Sequence, residues 1–159
     1  MADTVSKKVR SRIMAAIGSE NTGPELLLRR ALRANGVVGW KFQGYGITGR
    51  PDFVFEAQKV AVFVDGCFWH GCITCCRPPK SNRIYWSKKL KTNILRDRNT
   101  NQELIATGWK IVRFWEHEVL GAADKCAKRV AAVIKRQRGS QKVLGLSPSL
   151  GKKLYARRG

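Results

Sequence analysis

Apolar positions recur along the chain with two periods, and each change of period marks an element. Leu26, Leu27, Leu28, Ala31 and Leu32 supply one face of a helix. Thr22-Gly-Pro-Glu25 opens it in capping-box order, with Thr22 as N-cap and Glu25 three residues on, and Asn35-Gly36 closes it. Ahead of it, residues 6–17 read as a short basic helix, broken from Gly18 to Gly23. The period then shortens. Trp40 to Phe42 is a short strand, Gly44 to Gly49 a glycine-rich turn, and Asp52–Phe55 and Lys59–Asp65 two strands of a hairpin. Alternation puts Val60, Val62 and Val64 on one face of the second strand and Ala61, Phe63 and Asp65 on the other. Residues 66–86 are cysteine-rich and irregular. Helical spacing returns from Lys88 to Thr107, Trp109–Trp115 is another strand, and residues 122–138 form a basic amphipathic helix. Residues 139–159 lose periodicity and read as a flexible basic tail.

A sheet with helices before and after it predicts an α/β fold. The 159 residues suffice for one domain, placed at 1–138 with a basic N-terminal arm over 1–20. No stretch approaches the roughly 20 apolar residues that span a bilayer, and Met1 to Arg12 has no apolar core of a signal peptide. A cytoplasmic protein is the expectation. Charge narrows the partner: 31 Lys and Arg against 11 Asp and Glu leave +20, which attracts a polyanion such as DNA or RNA. From residue 121 onward there are 11 basic residues and one acid, Asp124. This end either tracks phosphates or is only solvated.

Candidate chemistry is concentrated in a few short segments. Cys67, Cys72, Cys75 and Cys76 lie within ten residues, with Cys126 apart. Cys72-x-x-Cys75 has zinc-knuckle spacing, since two thiolates on one tight turn can fill two tetrahedral corners. Cys67 is a third ligand, and the fourth is Cys76 or a residue delivered by the fold, for which His117 is the candidate. A set of three protein ligands with an open position would instead be a catalytic zinc. Gly49-Arg-Pro-Asp52-Phe, followed by Val62-Phe-Val-Asp65, places acids where nucleases hold Mg²⁺, a hard cation that wants oxygen ligands. Asp52 as a mere strand-entry turn residue is the bland alternative. Phe68 and Trp69 in the cysteine loop, with Tyr85-Trp86 beyond it, can stack on bases or wedge between them, whereas Trp109 and Trp115 suit the core. His70 and His117 are the chain's two histidines, and a histidine near neutral pH suits proton transfer.

Taken together, Thr22 to Glu25, Gly49-Arg-Pro-Asp-Phe53, Gly66-Cys-Phe-Trp-His70, Tyr85-Trp86, Asn93, Arg96-Asp97-Arg98 and Gly108-Trp109 to Trp115-Glu116 resemble the Vsr, or very-short-patch-repair, endonucleases over roughly residues 1–120. The resemblance implies a PD-(D/E)XK-like core, a mixed central sheet flanked by helices, with a structural zinc. It implies Mg²⁺-dependent nicking 5′ of the thymine at T:G mismatches in double-stranded DNA. It assigns catalysis to Asp52, His70, Glu25 and Asp97. Mg²⁺ falls to Asp52 and the Val64 carbonyl, with Asp65 as an additional acid. Zinc falls to Cys67, Cys72, Cys75 and His117, and DNA contact to Phe68, Trp69, Trp86, Asn93 and Arg96. A monomer in the bacterial cytoplasm, associated with the nucleoid, is expected, with mismatch-repair proteins as candidate partners. The chain departs from well-known members in having Gly71-Cys72 where they carry a histidine run, and a histidine at 117 where they have cysteine. The basic extension after residue 139 has no clear family counterpart. A restriction or homing endonuclease on the same core, or a zinc-stabilised nucleic-acid binder, are the rival readings.

Overall fold

One strand sits at the centre of the molecule. Val60–Asp65 (β3) is buried along almost its whole length, as its run of apolar residues demands. It pairs antiparallel with Phe53–Phe55 (β2), which pairs antiparallel with Lys41–Phe42 (β1), and parallel with Lys110–Trp115 (β4). The sheet is therefore mixed, in the order β1-β2-β3-β4. The computed structural model describes residues 21–77, 79 and 82–143. The basic helix expected over 6–17 and the chain after 143 lie outside these residues. Among the described residues no helix is long and apolar enough to cross a membrane.

The hairpin follows the alternation. A 3-10 turn, Glu56–Gln58, ends on Lys59 in the left-handed region and returns the chain, so that Phe53 faces Val62 and Phe55 faces Val60. These four residues share one face of the sheet with Val112 and Phe114. That face packs on Leu28 and Leu32 of the helix Gly23–Ala34 (α1) and on Val119, Ala127, Val130 and Ile134 of the helix Glu116–Val143 (α3). The other face, Ala61 and Phe63 with Ile111, is covered by Leu104 of the helix Arg83–Ala106 (α2). α2 is the crossover that a parallel β3–β4 pair requires. The fold is a mixed α/β sandwich.

Three boundaries differ from the sequence pattern. α2 begins at Arg83, five residues before Lys88, so Tyr85 and Trp86 ride on its first turn and the irregular segment is shorter than 66–86. The basic helix is not confined to 122–138: helical backbone runs from Glu116 to Val143, broken only at Ala122 (φ −155°, ψ 51°). Helical order thus continues past 138, and His117 stands on a helix's first turn. Thr22 does cap α1 in position, yet the reciprocal box does not form. Its hydroxyl instead donates to Glu25 Oε1 at 2.7 Å, and the Asn21 amide donates to Glu25 Oε2 at 2.9 Å.

Two glycines combine a left-handed backbone with close approach to α2. Gly49 has φ +76°, and a Cβ there would lie 2.2 Å from Thr100 Cγ2 of α2. Gly71 has φ +68°, with Ile94 Cδ1 3.1 Å from a Cβ. Both let a loop that carries site residues lie against α2. Gly49→Ala combines left-handed strain, roughly 1 kcal/mol, with a clash against a fixed methyl. We expect a loss of about 2 kcal/mol or more in urea unfolding, partly recovered in Gly49→Ala/Thr100→Ser, which removes Cγ2. Wild-type stability in the single variant would contradict the close approach of loop and helix.

Candidate active site and metal centre

Strand register builds the site. Asp65 pairs with Trp115 at the last rung of the parallel ladder, so the residues two steps beyond each strand, Cys67 and His117, emerge side by side. Cys67 Sγ lies 3.2 Å from His117 Nδ1. The tight turn after Cys67 brings in Cys72 and Cys75, whose sulfurs lie 3.8 and 3.3 Å from the same nitrogen. All four ligand atoms are within 4.8 Å of one another. A tetrahedron with zinc–sulfur bonds of about 2.3 Å has edges of about 3.8 Å, so this Cys₃His group is able to hold a metal ion such as zinc. Cys76 stands outside it and donates to the Phe68 carbonyl at 3.6 Å. Burial and the neighbouring cysteines push Cys75 up to about 11. Cys72 is pulled below the usual thiol range, against desolvation, by the backbone N–H groups of Cys75 and Thr74. Glu116, on the first turn of α3, accepts the Cys67 amide at 3.3 Å, and Glu118 accepts the Trp115 amide at 2.7 Å.

Beside this centre opens a cleft of about 880 Å³. Asp52 lies on its floor at the head of β2. The β2–β3 ladder ends at Phe53↔Val62, so no β2 residue stands opposite Val64. Its amide donates instead to Asp52 Oδ2 at 2.6 Å. In a strand, a residue's N–H and C=O point to the same side, so the Val64 carbonyl also faces Asp52. Glu25, 4% exposed, reaches the same floor from α1. Burial pushes the Asp52 carboxyl up to about 7, and the charges of Glu25 and Asp65 add to the effect against the Val64 hydrogen bond.

On the opposite wall, His70 Nδ1 is 2.6 Å from Asp97 Oδ2. The Asp97 carboxylate thus holds the ring. One polar stripe of α2 at helical spacing does several jobs. Asn93 donates to the Trp69 carbonyl at 2.9 Å, Asp97 meets His70, and Asn101 accepts from Arg113 at 2.9 Å. Asn93 is buried, so it ties down the aromatic loop from below. Arg96 is exposed at the cleft rim with Lys89. Phe68, Trp69 and Trp86 are half-buried and pack on one another, with centroids 5.1, 5.2 and 6.2 Å apart. The indole of Trp69 is one ring of a cluster rather than a lone projecting wedge.

Sequence reasoning missed Arg113. Its guanidinium donates to both oxygens of Asp65 at 2.7 Å and lies 3.5 Å from Asp97 Oδ1. The signal was there: a charge in the middle of an otherwise apolar run, Ile111 to Trp115, on the face that carries Asp65 in the neighbouring strand.

A family model, described as DNA mismatch endonuclease Vsr, matches residues 2–76. The chain is 33% identical over 123 residues to the DNA mismatch endonuclease Vsr of Escherichia coli K12, covering 76% of this chain and 78% of that one. The chain belongs to the Vsr DNA mismatch endonuclease family. It is also 46% identical over 132 residues to the type II nicking enzyme V.NaeI of Lentzea aerocolonigenes, covering 79% of this chain and 74% of that one. A third relative, the type II nicking enzyme V.NmeDIP of Neisseria meningitidis serogroup C, is 38% identical over 142 residues, covering 88% and 95%. As a Vsr endonuclease the protein is an enzyme acting on DNA, which excludes the zinc-stabilised binder without catalysis. The +20 charge accords with that substrate.

The raised Asp52 carboxyl has a consequence for this Vsr chain's stability. An acid whose folded value lies above its unfolded one opposes folding wherever it ionises. Between 3.8 and about 7, at 1.36 kcal/mol per pH unit, the penalty grows to roughly 4 kcal/mol above pH 7 and vanishes below about pH 4. In buffer free of added magnesium, Asp52→Asn should therefore be more stable than wild type by about 2 kcal/mol or more at pH 8, and about equal at pH 4. Urea unfolding at the two pH values checks this. Equal stability at both would remove the charge crowding from the cleft floor.

Proposed function

We propose that the protein is a Mg²⁺-dependent nicking endonuclease that cuts one strand of duplex DNA 5′ of the thymine at T:G mismatches, in very-short-patch repair. One observation carries the chemistry: a buried carboxylate beside a strand-end carbonyl faces, across one cleft, a histidine whose Nδ1 is held by a second carboxylate. The names of the family and of its Escherichia coli member support the mismatch. The names of the nicking-enzyme relatives support single-strand cleavage.

Asp52 and the Val64 carbonyl are the oxygen donors that would hold the ion, and the crowding of Asp52 by Glu25 and Asp65 suits a divalent cation. When bound, Mg²⁺ supplies positive charge against the phosphodiester oxygens as the bond breaks. The remaining steps belong to the chain. Asp97 fixes Nδ1 of His70 and leaves Nε2 to take a proton from the attacking water. Glu25 keeps the floor negative and is itself held by Thr22 and Asn21. Arg96 and Lys89 on the rim, with the basic chain ends, engage backbone phosphates. Phe68, Trp69 and Trp86 enter the stack as one packed unit where a mismatch has weakened it, since unstacking there costs least. Asn93 acts through Trp69, whose carbonyl it holds. The Cys₃His group holds a structural zinc, because all four positions are filled by protein. Pro51-Asp52 at the head of β2 and Asp65-Gly-Cys67 at the end of β3 fit a PD-(D/E)XK-like core with cysteine in place of the lysine. The catalytic domain extends to at least Val143, the end of α3, and the enzyme works as a monomer in the bacterial cytoplasm on nucleoid DNA, alongside mismatch-repair proteins.

The test is strand-resolved nicking of matched, T:G and other mismatched duplexes in Mg²⁺. Wild type should nick T:G duplex at least about tenfold faster than matched duplex, a difference of about 1.4 kcal/mol. Asp52→Ala should abolish nicking and keep most DNA affinity. Equal rates on all duplexes across several sequence contexts would replace the mismatch reading by a restriction-type one. Near wild-type cleavage by Asp52→Ala would remove Asp52 from the mechanism.

A further inference from the structure

The acids at the ends of β2 and β3 do not all face the cleft in the same state. Asp65 and Asp97 are bound by one guanidinium. Arg113 Nε and one terminal nitrogen reach both Asp65 oxygens at 2.7 Å, the same terminal nitrogen lies 3.5 Å from Asp97 Oδ1, and the other donates to Asn101 Oδ1 at 2.9 Å. The guanidinium stacks on Phe63 at 4.4 Å, its direct partner across the parallel ladder. Only a planar fork with fixed donor directions can make these contacts together. Desolvation opposes the charge of Arg113, yet Asp65 and Asp97 raise its pKa above the ordinary arginine value, so it stays a cation.

Without that fork, Asp65 would have two places to go. Its Oδ1 is already 3.8 Å from His70 Nδ1, against 2.6 Å for Asp97, so it would compete for the ring. It also follows Val64 directly and would offer the cleft a second carboxylate. We propose that Arg113 is a positioning residue that withholds Asp65 from the cation site and from His70, leaving Asp52 as the strand-end carboxylate for the ion and Asp97 as the sole orienter of the imidazole. This rests on the reading of Asp52 as a cation ligand.

Wild type, Arg113→Met, Arg113→Lys and Arg113→Met/Asp65→Asn separate the roles. Mn²⁺ serves as probe, titrated calorimetrically without DNA, alongside kcat and KM for a T:G duplex. Arg113→Met should bind Mn²⁺ about tenfold more tightly, because carboxylate count sets affinity. Its kcat should fall about 30-fold with KM within about twofold, as expected for a misplaced base. Adding Asp65→Asn should return Mn²⁺ affinity to within about threefold of wild type, because the extra ligand is gone. Arg113→Lys keeps the charge without the fork and should lose about tenfold in kcat. Unchanged Mn²⁺ affinity and kcat in Arg113→Met overturns the proposal. Should that variant not fold, wild-type kcat in Arg113→Lys overturns it equally. Failure of wild type to bind Mn²⁺ or to need a divalent ion would bring down the Asp52 reading and this proposal together. Normal wild-type binding with insensitive variants would bring down this proposal alone.

Discussion

The parallel register of β3 and β4 is the constraint on which the rest of this structure depends. Pairing Asp65 with Trp115 fixes what lies one and two residues beyond each strand. Cys67 and His117 then meet without any special loop, and Glu116 receives the Cys67 amide. The same register sets Phe63 beside Arg113 and lets that side chain reach forward to Asp65. A slip of one residue would send every one of these side chains to the opposite face. It is held in place from both faces: a large apolar core against α1 and α3 on one, and on the other a small apolar cluster around Leu104 of α2 with polar contacts from Asn93, Asp97 and Asn101 towards the strand ends.

This arrangement explains how opposite electrostatic demands coexist within one small domain. The surface is strongly basic, as a DNA-acting enzyme needs, while the cleft floor is acidic. Acids that would repel one another are separated by assignment of partners. Glu25 is held by the start of α1, Asp65 by Arg113, and Asp97 by His70. Asp52 is left with one backbone amide and the effects of burial. The proposed cation site therefore falls to one carboxylate, although five acids line the cleft. The Cys₃His group has a different character. Its donors are soft and close on one another, and they sit where the loop carrying Trp69 and His70 is anchored between β3 and α3.

Much of this was legible in the sequence, for identifiable reasons. Residues 59–65 were plain as a strand from a short β-branched apolar run that is buried on both faces, and residues 109–115 from an alternation that buries Val112 and Phe114; α1 was plain from its leucines and Thr22. The cysteine spacing pointed to a metal group but left Cys76 or His117 as its fourth member; the family resemblance implied Cys67, Cys72, Cys75 and His117, the four that the fold brings together. Other features were not legible. α2 carries its functional residues as a polar stripe, Asn93, Asp97 and Asn101, so it has almost no amphipathic signal at its start, and Tyr85 and Trp86 read as loop. The role of Arg113 depends on a partner 48 residues away in sequence, and only the register reveals it. The mutual packing of Phe68, Trp69 and Trp86 likewise depends on α2 beginning early enough to bring its first turn against the cysteine loop.

If one ion closes the two strand ends, its removal must loosen both of them together. Amide hydrogen exchange, followed before and after stripping of zinc by a chelator, reads this directly. The account predicts that protection is lost jointly over residues 64–72 and 115–118, that it is kept in the β2–β3 hairpin, and that Zn²⁺ restores it while Mg²⁺ does not. Unchanged protection at both strand ends after the metal is gone would contradict it.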